Sequence, residues 1–183
     1  MQRTMARLQD EYAKTIRPAL QKTLGLKNVH MSPCAEKVVL NIGFGKNLKD
    51  SAFRESCTKT LERITGQKPV LTKARKSISN FKIREGQVVG IRVTLRGRRM
   101  YEFIDKLVNI TLPRVRDFRG LDPQQFDGRG NYAIGFSEHV VFPEISPDEV
   151  ERLHGLEVAI VTSAKDDRSG FELLKLLGFP FAE

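Results

Sequence analysis

Two stretches of this chain alternate between apolar and polar residues, and that alternation constrains the fold more than any other feature. Lys37–Phe44 reads KVVLNIGF, which sets Val38, Leu40 and Ile42 on one face of a strand and Lys37, Val39, Asn41 and Gly43 on the other. Residues 88–95, VVGIRVTL, do the same: Val93 and Leu95 alternate with Arg92, Thr94 and the following Arg96. A strand with one apolar and one polar face belongs to a sheet covered on one side only.

The stretches between and around these strands read as helices. Over residues 4–24, Met5, Leu8, Tyr12, Ile16 and Leu20 recur at three- and four-residue spacings, Gly25 stops the run, and Pro18 should kink the helix or restart it near Thr15. A second helix fits 50–65, with Phe53, Cys57, Leu61 and Ile64 as its stripe, a start near Asp50 or Ser51 and Gly66 beyond its end. A third covers 98–112 on Met100, Phe103, Ile104, Leu107 and Val108, and Pro113 ends it. A last one covers roughly 168–177 on Phe171, Leu174 and Leu177. Further strands fit 68–72, 131–136 and 156–163. Residues 114–130 read as a long loop, and 137–154 as a connection with one short helical turn after Ser146. This order implies an α+β fold: a two-layer sandwich of a mostly antiparallel sheet, helices packed on one face, and a basic loop protruding between the strands at 68–72 and 88–95. The 183 residues read as a single domain, 1–183.

Charge is distributed unevenly. The chain carries a net +9, yet residues 67–99 alone hold ten Lys/Arg against one acid, also a net +9. Residues 1–66 carry +6 and residues 100–183 carry −6. A basic centre beside an acidic half implies one surface for a polyanion and another for a different partner.

Several function classes find no support. Cys34 and Cys57 make neither a disulfide framework nor a zinc set, and they fit a reducing compartment. No apolar run is long enough for a membrane span, and the first residues do not read as a leader. Gly43-Phe44-Gly45 follows a strand but lacks the third glycine of a dinucleotide loop, so it reads as a turn. His30, His139 and His154 stand far apart and pair with no nucleophile. No catalytic, metal-binding or cofactor-binding set can be assembled, so an enzyme that uses the basic centre to hold RNA or nucleotide lacks its machinery. Binding to an anionic membrane surface or an acidic protein is the other alternative.

The candidate binding residues lie in two places. Lys73, Arg75, Lys76, Lys82 and Arg84 surround the basic loop; Ser77, Ser79 and Asn80 can donate to phosphate or a 2′-hydroxyl, and Phe81 can stack on a base. The plainer reading is a solvated loop whose charges keep the chain soluble. Arg92, Thr94 and Arg96 with Asn41 form a polar strand face that suits the wide minor groove of RNA. Here the plainer reading is an ordinary solvent-facing strand. Gly128-Arg129-Gly130 reads as a flexible loop tip or a minor RNA contact, and Asp148, Glu149 and Glu151 as a helix-start cluster or an acidic patch for a basic protein.

Residues 61–77, LERITGQKPVLTKARKS, resemble the signature block of the bacterial-type 5S-rRNA-binding protein family of the large ribosomal subunit. So do EKVVLNIGFG at 36–45, ISNFKIREG at 78–86, VTLRGRRMYEFIDKL at 93–107, LPRVRDFRG at 112–120 and GRGNYAIGFSEHVVFPEI at 128–145. The likeness runs in one order from about residue 6 to the C-terminus. It implies a structural protein of the cytoplasmic ribosome that anchors 5S rRNA in the central protuberance beside neighbouring large-subunit proteins. The family's recognition face is built on the sheet, and the matching positions include Asn41, Gln67 and Thr94. The resemblance also implies that the loop at 73–86 reaches the elbow of the P-site tRNA and that another edge bridges to a protein of the small-subunit head.

Overall fold

The computed structural model describes residues 6–48, 50–146 and 152–182, with Lys46 as backbone only. Met5, the expected helical turn after Ser146 and the acids Asp148, Glu149 and Glu151 lie outside these residues. Five strands form an open antiparallel sheet: β1 (Ala35–Gly43), β2 (Val70–Lys73), β3 (Val88–Leu95), β4 (Tyr132–Phe136) and β5 (Leu156–Thr162), in the order β2-β3-β1-β5-β4. With α1 (Arg7–Glu11), α2 (Arg17–Thr23), α3 (Ser51–Thr65), α4 (Gly97–Lys106) and α5 (Asp167–Leu176), this is the α+β sandwich expected.

Alternation is preserved along the strands. Val38, Leu40 and Ile42 of β1, Ile91, Val93 and Leu95 of β3, and Leu156, Val158 and Ile160 of β5 are buried. Their sequence neighbours Asn41, Arg92, Thr94 and Glu157 are half-buried or exposed. Burial of one face supplies most of the driving force, since each fully buried aliphatic side chain contributes about 1.5–3 kcal/mol.

The chain divides into two compact units. One comprises Met1–Val38, Leu95–Ile134 and Ala159–Glu183; the other comprises Val39–Thr94 and Gly135–Val158. In the first unit, α1 and α2 are joined by a π-helical turn, Tyr12–Ile16, into one helical run. The kink or restart expected near Thr15 is therefore a widened turn. It stands just before Pro18, whose ring and missing N–H a regular α-turn would not accommodate. A second π-helical turn, Leu107–Thr111, extends α4 until the Leu112–Arg114 turn containing Pro113. The two helical runs are tied by the Arg7–Asp105 ion pair at 2.5 Å and by the Tyr12 and Tyr101 rings, 6.1 Å apart. Tyr12 also donates its hydroxyl to the Pro33 carbonyl at 2.9 Å, and burial pushes this phenol's pKa up.

The 114–130 segment is more ordered than a plain loop. Leu121 and Phe181 form a parallel bridge, the Tyr132 hydroxyl donates to the Asp122 carbonyl at 2.8 Å, and Phe126, Tyr132, Phe171 and Phe181 share an aromatic cluster. Gly128–Gly130 is a built turn rather than a flexible tip. The Asp127 carboxylate accepts from Arg129 N–H and Asn131 N–H, Asp167 accepts from Gly130 N–H, and the Thr162 hydroxyl donates to Gly130 C=O. The Asn131 side-chain amide together with those backbone donors holds the Asp127 carboxyl below the usual carboxylate range.

In the second unit, Asp50 starts α3 by accepting from Phe53 N–H at 3.1 Å, and Gly66 ends it with φ 63°. Arg152 pairs with the same Asp50 carboxylate. The Phe53 N–H and the Arg152 guanidinium together hold that carboxyl below its ordinary range. Cys57 lies fully buried in the α3 stripe, and burial pushes its thiol to about 12, so it is an inert core thiol.

Candidate nucleic-acid interface

The polar strand face takes its geometry from the pairing of β3 with both neighbours. On one side, β2 pairs antiparallel to β3 with Val70 opposite Arg92 and Thr72 opposite Gly90. On the other side, Phe44 N–H donates to Val89 C=O at 3.0 Å. Counting back from that bond along the antiparallel pair sets Arg92 across from Asn41 and Thr94 across from Val39. Asn41 in turn donates its side-chain N–H to the Glu157 carboxylate of β5 at 3.3 Å. A line of side chains, Val70, Arg92, Asn41 and Glu157, therefore crosses four strands on the outer face of the second unit.

Beside this line the face is nearly bare. Gly90 and Gly43 adjoin each other, and a Cβ built on Gly90 would come 2.7 Å from the Ile42 carbonyl oxygen and 3.1 Å from the Thr72 hydroxyl. Gly90 is itself buried, so its missing side chain serves the close packing of the strands, whereas Gly43 is exposed and leaves its backbone open to a ligand. The result is a shallow polar surface of hydroxyl, amide and guanidinium groups with the Gly43 backbone exposed beside them.

Of the expected sheet-face residues, Asn41, Arg92 and Thr94 lie together as described. Gln67 does not lie on a strand. It follows the Gly66 cap of α3, half-buried, where the Thr65 hydroxyl accepts from Gln67 N–H and donates to Gln67 C=O, both at 3.3 Å. Arg96 lies beyond β3 at the N-cap of α4, exposed and in the first unit. Arg98, another cation of the basic centre, is engaged with Glu102 one turn along α4 at 2.7 Å.

The basic loop is a hydrogen-bonded extension of the β2–β3 hairpin. Ala74 N–H donates to Gln87 C=O and Gly86 N–H to Ala74 C=O; Ile78 and Ile83 exchange N–H···O=C bonds of 2.9 and 3.1 Å. Lys82 N–H closes a turn onto Ser79 C=O, with Lys82 itself at φ 55°, and the Ser77 hydroxyl accepts from Glu85 N–H at 2.9 Å. A turn followed by a left-handed residue is a standard hairpin closure. The basic loop expected to protrude between the two strands is thus a shaped finger. Lys73, Arg75, Lys76, Ser77, Ser79, Asn80, Phe81 and Lys82 are all exposed on it, and Phe81 at the tip is 70% exposed.

Two features escaped the sequence reading. Glu157, the acid that holds the Asn41 amide, comes from a strand 116 residues away and carries no local signal. The histidines read as far apart are partly together: His139 and His154 stack with ring centroids 3.8 Å apart, buried, with Phe53 edge-on to His154. Burial first, and His139 second, lower the His154 pKa to about 4; burial also lowers that of His139. No nucleophile adjoins the pair in any of these contacts, and among the described residues no group of three or more His, Cys, Asp or Glu could hold a metal ion. No helix among the described residues is long and apolar enough to cross a membrane.

Comparison with known proteins bears on the whole length. The family model for ribosomal protein L5 matches residues 28–84, and the model for the C-terminus of the ribosomal L5 family matches residues 88–181. The large ribosomal subunit protein uL5 of Thermotoga sp. (strain RQ2) is 56% identical over 174 residues, 95% of each chain. Its counterpart from Alkaliphilus oremlandii (strain OhILAs) is 53% identical over 179 residues, 98% of this chain and 100% of its own. That from Rubrobacter xylanophilus is 54% identical over 177 residues, 97% of this chain and 98% of its own. With its sheet, its caps and its matched length in agreement, the chain belongs to the ribosomal protein L5 family.

Proposed function

We propose that the outer sheet face of the second unit binds 5S rRNA and attaches it in the central protuberance, while the hairpin finger contacts the P-site tRNA. As a member of its family the chain is a structural constituent of the large subunit of the cytoplasmic ribosome and not an enzyme. The observation that carries the 5S reading is the line Val70, Arg92, Asn41 and Glu157 beside the bare Gly90–Gly43 strip. A-form RNA offers a wide, shallow minor groove lined with 2′-hydroxyls, and a flat polar face with little side-chain relief fits it. The Glu157 carboxylate accepts from the Asn41 side-chain N–H, which leaves the Asn41 carbonyl oxygen to accept from a 2′-hydroxyl. Thr94 and Arg92 supply further donors, and Gln67 is proposed to extend the contact; Arg96, in the first unit, is proposed to bind rRNA on its own account. The same carboxylate repels phosphates, which favours groove edges over the phosphodiester chain on this part of the face.

The finger has the opposite chemistry. Lys73, Arg75, Lys76 and Lys82 are set for phosphates, Ser77, Ser79 and Asn80 for sugar and phosphate oxygens, and exposed Phe81 for stacking. A further edge is proposed to form the bridge to a small-subunit head protein and to meet neighbouring large-subunit proteins. The 5S reading is tested by replacing Asn41→Ala together with Thr94→Ala at fixed salt. Losing two net hydrogen bonds of about 1 kcal/mol each should weaken 5S rRNA binding roughly tenfold or more. Unchanged affinity would show that RNA does not lie on this face.

A further inference from the structure

The arginines of residues 114–119 have no part in the surfaces above, and the first unit holds them in a particular way. Arg114, Arg116 and Arg119 are all exposed. Among the described residues they form no hydrogen bond or ion pair through their side chains. The one acid between them, Asp117, is also exposed, and it sits at φ 52°. The stretch Arg114–Arg119 therefore carries a net +2 inside a half of the chain that is net −6.

The backbone that carries them is fastened at both ends. At one end, Leu112 is buried and its carbonyl accepts from Val115 N–H at 3.1 Å. At the other, Leu121 N–H donates to Pro180 C=O at 2.8 Å and Ala182 N–H to Leu121 C=O at 2.9 Å. Gly120, at φ 101°, lies so close to the C-terminal segment that a Cβ would come 2.6 Å from Ala182 N. Only glycine fits there, so the strap's exit is fixed. Between these anchors Val115 and Phe118 turn inward, half-buried, and none of the large exposed apolar side chains belongs to residues 112–120.

We propose that this strap is a second RNA-binding surface, which holds phosphodiester backbone through Arg114, Arg116 and Arg119 independently of the sheet face. Three guanidinium groups without partners, on a backbone that needs no ordering, match what bidentate phosphate recognition requires. A protein interface would need an apolar centre, and the strap exposes none. Because sequence-independent phosphate contacts carry no base information, this surface supplies affinity and orientation while the sheet face supplies specificity. Its phosphates can belong to 5S rRNA or to another rRNA segment of the subunit.

The test uses the full chain with Arg114→Ala, Arg116→Ala and Arg119→Ala combined, and the matching triple Arg→Lys variant. Binding is titrated against salt with 5S rRNA and, separately, with a transcript of the large rRNA. Each phosphate contact contributes about 0.7 to 0.9 to the slope of log affinity on log salt, so the Ala variant should lose roughly two from the slope with one of these RNAs, and the Lys variant less. Which RNA shows the loss identifies the source of the phosphates. An unchanged slope and affinity with both RNAs overturns the proposal, as does strap-dependent binding of an acidic protein with RNA binding intact. Unchanged melting temperatures are expected because, among the described residues, the three side chains make no hydrogen bond or ion pair. The Asn41→Ala and Thr94→Ala pair lowers 5S affinity without altering the slope, so failure of the strap and failure of the sheet face are told apart.

Discussion

The sheet face and the hairpin finger lie in the same unit and are joined by the same two strands, yet they are built on opposite terms. On the face, each polar group is set by a neighbouring strand: Arg92 by its pairing with Val70, Asn41 by Glu157, and the bare strip by the contact of Gly90 with Ile42 and Gly43. On the finger, the backbone is closed by local bonds such as Ile78–Ile83, and the cations are exposed along it. The face holds Arg92 and Glu157 near charge balance. The finger has Lys73, Arg75, Lys76, Lys82 and Arg84 against Glu85. A surface that recognises shape needs fixed groups and low net charge, whereas one that captures phosphate needs reach and excess cations.

That contrast is most directly broken at Gly90. A Gly90→Val side chain has no room against the Ile42 carbonyl, so strand pairing should be lost at about 3 kcal/mol or more, with 5S binding falling over a hundredfold. Chemical denaturation and filter binding would check this; a variant with normal stability and affinity would mean that the close strand contact is not needed. The next largest effect is expected at the finger. Converting Lys73, Arg75, Lys76 and Lys82 to Gln should lower tRNA affinity by about two orders of magnitude at low salt and reduce the salt slope by roughly three, with 5S affinity unchanged. If 5S binding fell equally, the two surfaces would be one.

Acid should separate the regions more gently. His154 is neutral in the fold with its pKa lowered to about 4, whereas the unfolded chain takes up its proton near 6.5. The unfolded state therefore binds more protons as pH falls from 6.5 toward 4, and stability present above 6.5 is lost across that window. At pH 5.5 the loss should be roughly 1 kcal/mol, and His154→Phe should flatten that dependence in urea melts taken at pH 7.5 and 5.5. The finger contains no histidine, so its local bonds should respond less, as amide exchange at Ile78 and Ile83 would report. The smallest effect is expected from Glu157→Gln. The Asn41 amide loses its charged anchor while phosphates lose a repelling neighbour, so 5S affinity should change no more than about threefold and discrimination against a 2′-deoxy duplex should weaken.

Much of this architecture could be read from residues alone, where the physics is local. Strand β3 was expected at residues 88–95 and runs Val88–Leu95, because Arg92 and Thr94 break its apolar pattern at every second position. Helix α3 was expected between Asp50 and Gly66, and those two residues cap it. The misses are non-local or conformational. The π-helical turns at Tyr12–Ile16 and Leu107–Thr111 have no compositional mark, since the same apolar spacing serves an α-turn. The finger was read as a protruding loop because Ile78 and Ile83 pair across a turn and form no stripe. Within the candidate site, Asn41 and Thr94 were assigned to the sheet, but nothing near Asn41 points to Glu157, and Gln67 was expected on the face although it follows a helix cap. The Gly128–Gly130 turn was misread for a related reason: glycine was taken as slack, whereas Gly130 permits close approach to Ala164 and Asp166.

The strand order β2-β3-β1-β5-β4 also sets a timetable for synthesis. Strand β1 leaves the ribosome early, but its neighbour β5 begins at Leu156, so the central strand lacks one flank until that segment has been made. Asn41 waits 116 residues for the carboxylate that orients it. A growing chain therefore presents the cationic finger, closed by contacts a few residues apart, well before it presents a complete reading face. If the sheet face does read 5S rRNA, a chain halted before β5 would hold nucleic acid by charge alone, and discrimination would certify that synthesis has passed Leu156.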